Sequence, residues 1–508
     1  MPPSLHRRHH TRFMHAPRES GPTLLTHLCF PQPEFLTRTP SPTPHFSTTL
    51  EQPMLTTKYS EPEFDPYGDS RETTTPTGWP APCAREPLTA SLRLPGSKSL
   101  TNRELVLSAL ADGPSVLRAP LWSRDSELMI EALRTLGVIC ERLPGSGGFG
   151  DDLRVIPATE LTGSTTIECG LAGTVMRFLP PVAALALGPT AFDGDPAARR
   201  RPMAPILQAL RTVGADIADD GRGHLPFTVH GRGTLPGGAV QMDASSSSQF
   251  VSGMLLSAPR FENGIDLHHT GERLPSIPHI DMTITALTAR GVEVTSPEPG
   301  HWQVSPGPIG AAQIDIEPDL SNAAPFLIAA VLVGGSVTIA GWPATTIQVG
   351  AQLATILPRF GATVTRTGDE ITVTGPAAGA SGRGIRAVDL DLSEAGELVP
   401  NLVALAAFAD GASTITGIGH IRHHETDRLA ALTTEVNRLG GRITELDDGL
   451  HIEPAPLTDG GWRSYADHRM ATTGALLGLV VPGIIVDDIA CTSKTLPQFT
   501  RLWERILA

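Results

Sequence analysis

The chain has 508 residues, 40% hydrophobic and 18% charged, enough apolar content for two sizeable cores. Its formal charge of −14 argues against a general nucleic-acid binder, and no apolar run is long and uninterrupted enough to cross a membrane. Five cysteines, Cys29, Cys83, Cys140, Cys169 and Cys491, form no CxxC pair, so a reduced, cytoplasmic protein is expected rather than a disulfide or zinc framework.

Residues 1–85 read as a disordered extension. "HRRHHTR", "TPSPTPHFSTT" and "SRETTTPTGWPAP" are rich in Pro, Thr, Ser and His and carry no sustained periodicity. Leu24, Leu25 and Leu28 make too short an apolar stretch for a secretory leader. From residue 86 a repeat begins. Five times a helical pattern ends in glycine and a β-rich stretch follows, with marker glycines Gly137, Gly214, Gly291, Gly361 and Gly440. Each fits the position just past a helix C-terminus, where left-handed backbone geometry suits glycine.

Polar clusters recur in step with this pattern, each before an apolar helical run: "GSKSLTNR", "GLAGTVMR", "DASSSSQF", "EPDLSNAA", "DLSEAGEL" and "YADHRMAT". Six copies of a βαβ-containing unit fit two domains of three better than one core. A helix start exposes unpaired N–H groups and about half a positive charge, a natural seat for an anion. The side chains added there, Lys98, Arg103, Arg177, Ser247, Ser248, Gln249 and Arg469, are of anion-binding type. One such cluster alone is an ordinary cap. Six in phase, within an acidic protein, imply a small and multiply anionic substrate rather than a polymer.

Lysine use sharpens this. Lys58, Lys98 and Lys494 are the only lysines among 39 basic residues, and two of the three sit in or near such motifs. "LPGSKSLTNR" lacks the glycines of a P-loop, and no GxGxxG follows a strand, so nucleotide binding is not supported. Further on, Ser276 and His279 lie in a Pro-bounded loop, and Glu394 and Glu397 near a helix start. Glu425 and Arg428 are spaced to share a helix face, Asp467 and Arg469 flank His468, and Lys494 precedes Pro497.

In order, "LPGSKSLTNR", "GLAGTVMRF", "RRRPM", "SSSQF", "GERLPSIPHID", "HETDRL", "DHRMA" and "CTSKT" resemble the EPSP synthase (3-phosphoshikimate 1-carboxyvinyltransferase) family over residues 88–508. The resemblance implies an α/β, two-domain enolpyruvyl transferase architecture, each domain three βαβαββ units. The N-terminal domain would span residues 95–316, and the C-terminal one residues 86–94 and 317–508, with the domains closing on substrate. It implies transfer of the enolpyruvyl group of phosphoenolpyruvate to the 5-hydroxyl of shikimate 3-phosphate, with release of phosphate through a tetrahedral intermediate. Neither metal nor cofactor is expected, and a monomer is the expected state.

Carried over by position, the resemblance gives Glu397, Glu425 and Lys98 catalytic roles. Lys98, Ser99, Arg103, Ser247, Ser248, Gln249, Ser276, Glu397 and His424 would hold shikimate 3-phosphate. Lys98, Gly173, Arg201, Gln249, Arg428, Arg469 and Lys494 would hold phosphoenolpyruvate. Glu397 would handle the hydroxyl proton and Glu425 would protonate the methylene carbon. The chain departs from the family pattern at five places. Glu397 stands for a common Asp, His424 for a common Lys, Leu171 for Asn, His279 for Tyr and His420 for another polar residue. A histidine at 424 brings pH dependence toward neutrality into the expectation. Gly173, bare of a methyl group, implies sensitivity to the inhibitor glyphosate. The sister transferase that uses UDP-N-acetylglucosamine is the nearest rival reading, but no cysteine stands in a matching Gly-rich segment.

Overall fold

The computed structural model describes residues 78–376 and 383–508. The six polar clusters each open onto a helix: Lys98–Ala109, Gly173–Ala184, Gln249–Ser257, Ala324–Val333, Val399–Ala406 and His468–Val480. These helices are buried along most or all of their length, which explains why they lack a polar face. The marker glycines all take positive φ, from 82° at Gly291 to 104° at Gly214, and end the outer helices as the sequence requires.

The sheets repeat one pattern. Thr165–Glu168 runs parallel to Leu187–Asp193, which pairs antiparallel with Phe227–Arg232, and Asp216–Ala218 closes the edge. The same order recurs in four other four-stranded sheets. In two of them the leading strand comes from far away in the chain. Leu88–Arg93 leads the sheet of Gly335–Ala340, and Gln313–Asp315 leads the sheet of Ser115–Arg118. The two crossing segments run side by side, joined by Ser97 N–H to Glu317 C=O (2.7 Å) and Asp319 N–H to Pro95 C=O (2.9 Å).

The sixth sheet has three strands and no hairpin of its own. Trp79–Pro80 fills the gap, antiparallel to Ile484–Val486. This corrects the extension drawn over residues 1–85. Residues 1–77 lie outside the described residues, but from Gly78 the chain is part of the fold. Ala81 is buried and donates its N–H to Ile484 C=O at 2.9 Å, and Ala84 does the same to Leu479 C=O at 3.1 Å. A two-residue strand is too short to show periodicity, and its proline sits where no ladder donor is needed, on a sheet edge.

Buried apolar side chains gather in two clusters, one drawn from Leu105 to Ile316, the other from Ala81–Leu94 together with Leu320–Ile506. Among the described residues, no helix is long and apolar enough to cross a membrane.

Candidate active site

All six helix starts meet at one cavity. Its wall contains Lys98, Thr174, Ser248 with Gln249, Ser321, Glu397, and His468 with Arg469, one contribution from each. Ser99, Arg103, Arg201, Ser247, Ser276, His279, His420, His424, Glu425 and Arg428 complete the polar lining. Of the residues expected at the site, only Gly173 and Lys494 are not part of that wall. Gly173 sits against the side-chain tips of Arg177, Gln249 and Arg201. Lys494 meets the cavity through Glu425, to which its buried ammonium donates.

Local sequence explains the placement. Ser97 caps the first helix through Leu100 N–H (3.5 Å), which brings Lys98 to its opening turn. The Lys98 backbone N–H donates to Asp319 across the crossing point (3.1 Å), and its ammonium stands 3.4 Å from buried Asp125. Ser276 holds a left-handed conformation (φ 55°) that a serine adopts under constraint. Its N–H donates to Ser393 C=O at 3.1 Å, tying the two cores together beside the cavity. Asp467 caps the helix His468–Val480 through Arg469 N–H and grips Arg428 in a fork, Nε at 2.8 Å and Nη2 at 3.0 Å.

Two carboxylates face the cavity in different fields. Glu397 accepts from Ser321 Oγ (2.6 Å), with His279 Nε2 at 3.7 Å and Arg469 Nη2 at 3.9 Å. Burial pushes its pKa up, but His279, Arg469, Ser321 and Lys98 together hold it below the ordinary carboxylate value. Glu425 lies between Lys494 and Arg428, the latter at 3.1 Å. Burial opposes ionisation here too, yet Lys494, Arg428 and Arg201 keep this carboxyl well below the usual range. An anion that drew those cations to itself would return proton affinity to Glu425.

The histidine at 424 behaves differently from the expectation. Burial first, then Arg428, pushes it well below its ordinary pKa, so it is neutral near pH 7. Its Nδ1 faces the Arg428 Nη1 donor at 3.0 Å. The guanidinium has only donors, so Nδ1 accepts and the proton sits on Nε2. Arg103 is buried, and burial lowers its pKa to about 9. It donates to Thr283 Oγ1 (2.8 Å), Ser99 C=O (2.9 Å), His279 C=O (2.7 Å) and Ser252 Oγ (3.3 Å). Leu171 takes part through its backbone, its carbonyl accepting from Arg201 Nη1 at 3.3 Å.

Several wall or near-wall groups went unassigned at the level of sequence, among them Asp319, Ser321, Gln348 and Asp125. Asp319 and Ser321 lie in "EPDLSNAA", which shows as a loaded helix start but offers no cation to single it out. Asp125, the partner of Lys98, lies in an ordinary capped helix and carries no local signal.

Helix dipoles, fixed cations and two carboxylates around one cavity define a protein built to hold small, multiply charged anions and to move protons on them. Comparison with known proteins narrows this class. A family model for EPSP synthase (3-phosphoshikimate 1-carboxyvinyltransferase) matches residues 83–503. The chain therefore belongs to the EPSP synthase family. It is 53% identical over 434 residues to a 3-phosphoshikimate 1-carboxyvinyltransferase of Kocuria rhizophila, covering 84% of this chain and 96% of the relative. The fold matches that of EPSP synthase from Acinetobacter baumannii, with a TM-score of 0.69, 23% identity and 85% and 98% of the two chains covered. It also matches the enolpyruvyl transferase NikO from Streptomyces tendae, with a TM-score of 0.67, 18% identity and the same coverage.

Proposed function

We propose that this chain transfers the enolpyruvyl group from phosphoenolpyruvate to the 5-hydroxyl of shikimate 3-phosphate and releases inorganic phosphate, on the route to chorismate and the aromatic amino acids. The observation that carries the reading is the meeting of Lys98, Arg201, Glu397, Glu425, Arg428 and Arg469 around one cavity at the helix starts.

Phosphoenolpyruvate takes the end of the cleft at Gly173, Arg201, Arg428, Arg469 and Lys494, with Gln249 and Lys98 between the two substrates. Shikimate 3-phosphate lies against Ser99, Arg103, Ser247, Ser248, Ser276, Glu397 and His424, the last donating through Nε2. Glu397 accepts the hydroxyl proton as oxygen attacks C2 of phosphoenolpyruvate. Glu425, its proton affinity raised as the phosphate and carboxylate engage Lys494 and Arg428, takes up a proton from solvent on substrate binding and delivers it to C3. The tetrahedral adduct then expels phosphate as the Glu425 carboxylate takes a proton back from C3, and the Lys98 ammonium offsets the charge on the leaving group. The cores act as two domains, residues 95–316 and residues 86–94 with 317–508, that close over the substrates. The protein works as a cytoplasmic monomer and is inhibited by glyphosate.

The test is phosphate release from phosphoenolpyruvate with shikimate 3-phosphate, with UDP-N-acetylglucosamine, or with no acceptor. Release with the first alone is expected. Release with the second alone, or with none, rejects the assignment.

A further inference from the structure

Away from the cleft, three side chains converge on the outer face of the sheet that holds Ile265–His269 and His301–Val304. These strands are antiparallel, with His268 opposite His301 and Asp266 opposite Gln303. Leu267 and Trp302 between them are buried in the core, so Asp266, His268 and His301 share the opposite face. A residue, its neighbour two along, and the cross-strand partner of one of them are the closest trio a sheet can offer.

Here the trio converges at the level of donor atoms. Asp266 Oδ1 lies 2.6 Å from His301 Nε2 and 3.4 Å from His268 Nε2. All three atoms fall within 4.8 Å of one another, and the two imidazoles stack with centroids 3.7 Å apart. A hydrogen bond from His301 to Asp266 accounts for one of these approaches. It leaves the second imidazole aimed at an oxygen already used. His301 Nδ1 lies 4.0 Å from Glu298 Oε1, beyond hydrogen-bond distance.

We propose that Asp266, His268 and His301 form a surface site for a zinc-class divalent ion, separate from the substrate cleft. Two neutral imidazoles and one carboxylate suit zinc, cobalt, nickel or copper rather than magnesium or calcium. Tetrahedral zinc with bonds of about 2.0–2.2 Å has ligand–ligand edges of about 3.4 Å. The Asp266–His268 edge has that length already. The Asp266–His301 edge opens by under about 1 Å as the His301 ring swings out of the stack and the ion replaces the hydrogen-bonded proton. Water completes the coordination.

The full chain, stripped with a chelator, is titrated with zinc chloride at neutral pH by calorimetry. His6, His9, His10 and His15 are further imidazoles in the full chain, so the readout is a difference. H268A/H301A binds one equivalent fewer than the parent, while its phosphate release is unchanged. Equal stoichiometry in parent and variant overturns the proposal. A second measurement needs no substitution. Zinc protects His268 and His301 together from diethylpyrocarbonate, read by peptide mass, and unprotected rings at saturating zinc overturn the site as well.

Discussion

Replacing Gly173 with alanine perturbs the phosphoenolpyruvate end of the cleft without touching the fold. An added Cβ would stand 2.8 Å from Arg177 Nη1, 2.9 Å from Gln249 Oε1 and 3.1 Å from Arg201 Nη2. Ordinary contacts of this kind are about 3.5–4.0 Å, so each tip must retreat by roughly 0.5–1 Å. Arg177 has little room to move. It is buried, its guanidinium lies 5.2 Å from the Phe250 ring centroid, and Nη1 donates to Gln249 at 3.0 Å. Arg201 and Gln249 must therefore shift, and both belong to the proposed substrate contacts. Displacing one charge-assisted hydrogen bond by that distance forfeits about 1.5–3 kcal/mol, or roughly a ten- to hundred-fold rise in the KM for phosphoenolpyruvate. Gly173 opens a helix, where alanine is the better residue, so this gain offsets part of the crowding and thermal stability changes little. Phosphate release against phosphoenolpyruvate concentration, beside a melting curve, separates the two effects. An unchanged KM, or a KM rise matched by a fall in stability, refutes the reasoning. Glyphosate inhibition weakens in the same variant, whereas the parent loses turnover in millimolar glyphosate.

Lys98→Met removes the ammonium proposed to assist phosphate departure and lowers kcat by about 10³-fold with the fold intact, read by steady-state phosphate release and circular dichroism. Glu104→Ala strands the buried Arg290 guanidinium, which donates to Glu104 Oε2 at 3.0 and 2.7 Å, and costs about 3–5 kcal/mol. The melting temperature then falls by on the order of 10 °C; a fall of only one or two degrees disproves the pairing. Burial pushes the His420 imidazole down to about 4, so the unfolded chain binds its proton more readily. Its contribution is complete above the unfolded value of about 6.5 and is lost as pH falls toward 4. At pH 5 about 2 kcal/mol has gone, and His420→Asn flattens the acid limb of denaturant-derived stability by that amount.

Much of this architecture was legible in the chain. The marker glycines fixed the ends of five helices because only glycine adopts positive φ without strain. The six polar clusters announced the helix starts because capping chemistry is local. Their arrival at one cavity rests on tertiary packing, which a single cluster does not reveal. The sixth sheet was hidden for the same reason: Trp79–Pro80 is a strand only because Ile484–Val486 leaves an edge unpaired. Asp125 and Asp319 are defined by what they face, Lys98 in both cases, across 27 and 221 residues of chain. The neutral state of His424 likewise depends on its burial beside Arg428, which the sequence does not show.

Running the reaction in deuterated water interrogates the two acids most directly. If Glu397 takes the hydroxyl proton and Glu425 protonates C3, the carbon passes through a methyl group before phosphate leaves. Solvent deuterium then appears in the methylene of the enolpyruvyl product, and Glu425→Gln suppresses both label and turnover. Product formed at the parent rate with a wholly unlabelled methylene contradicts the account.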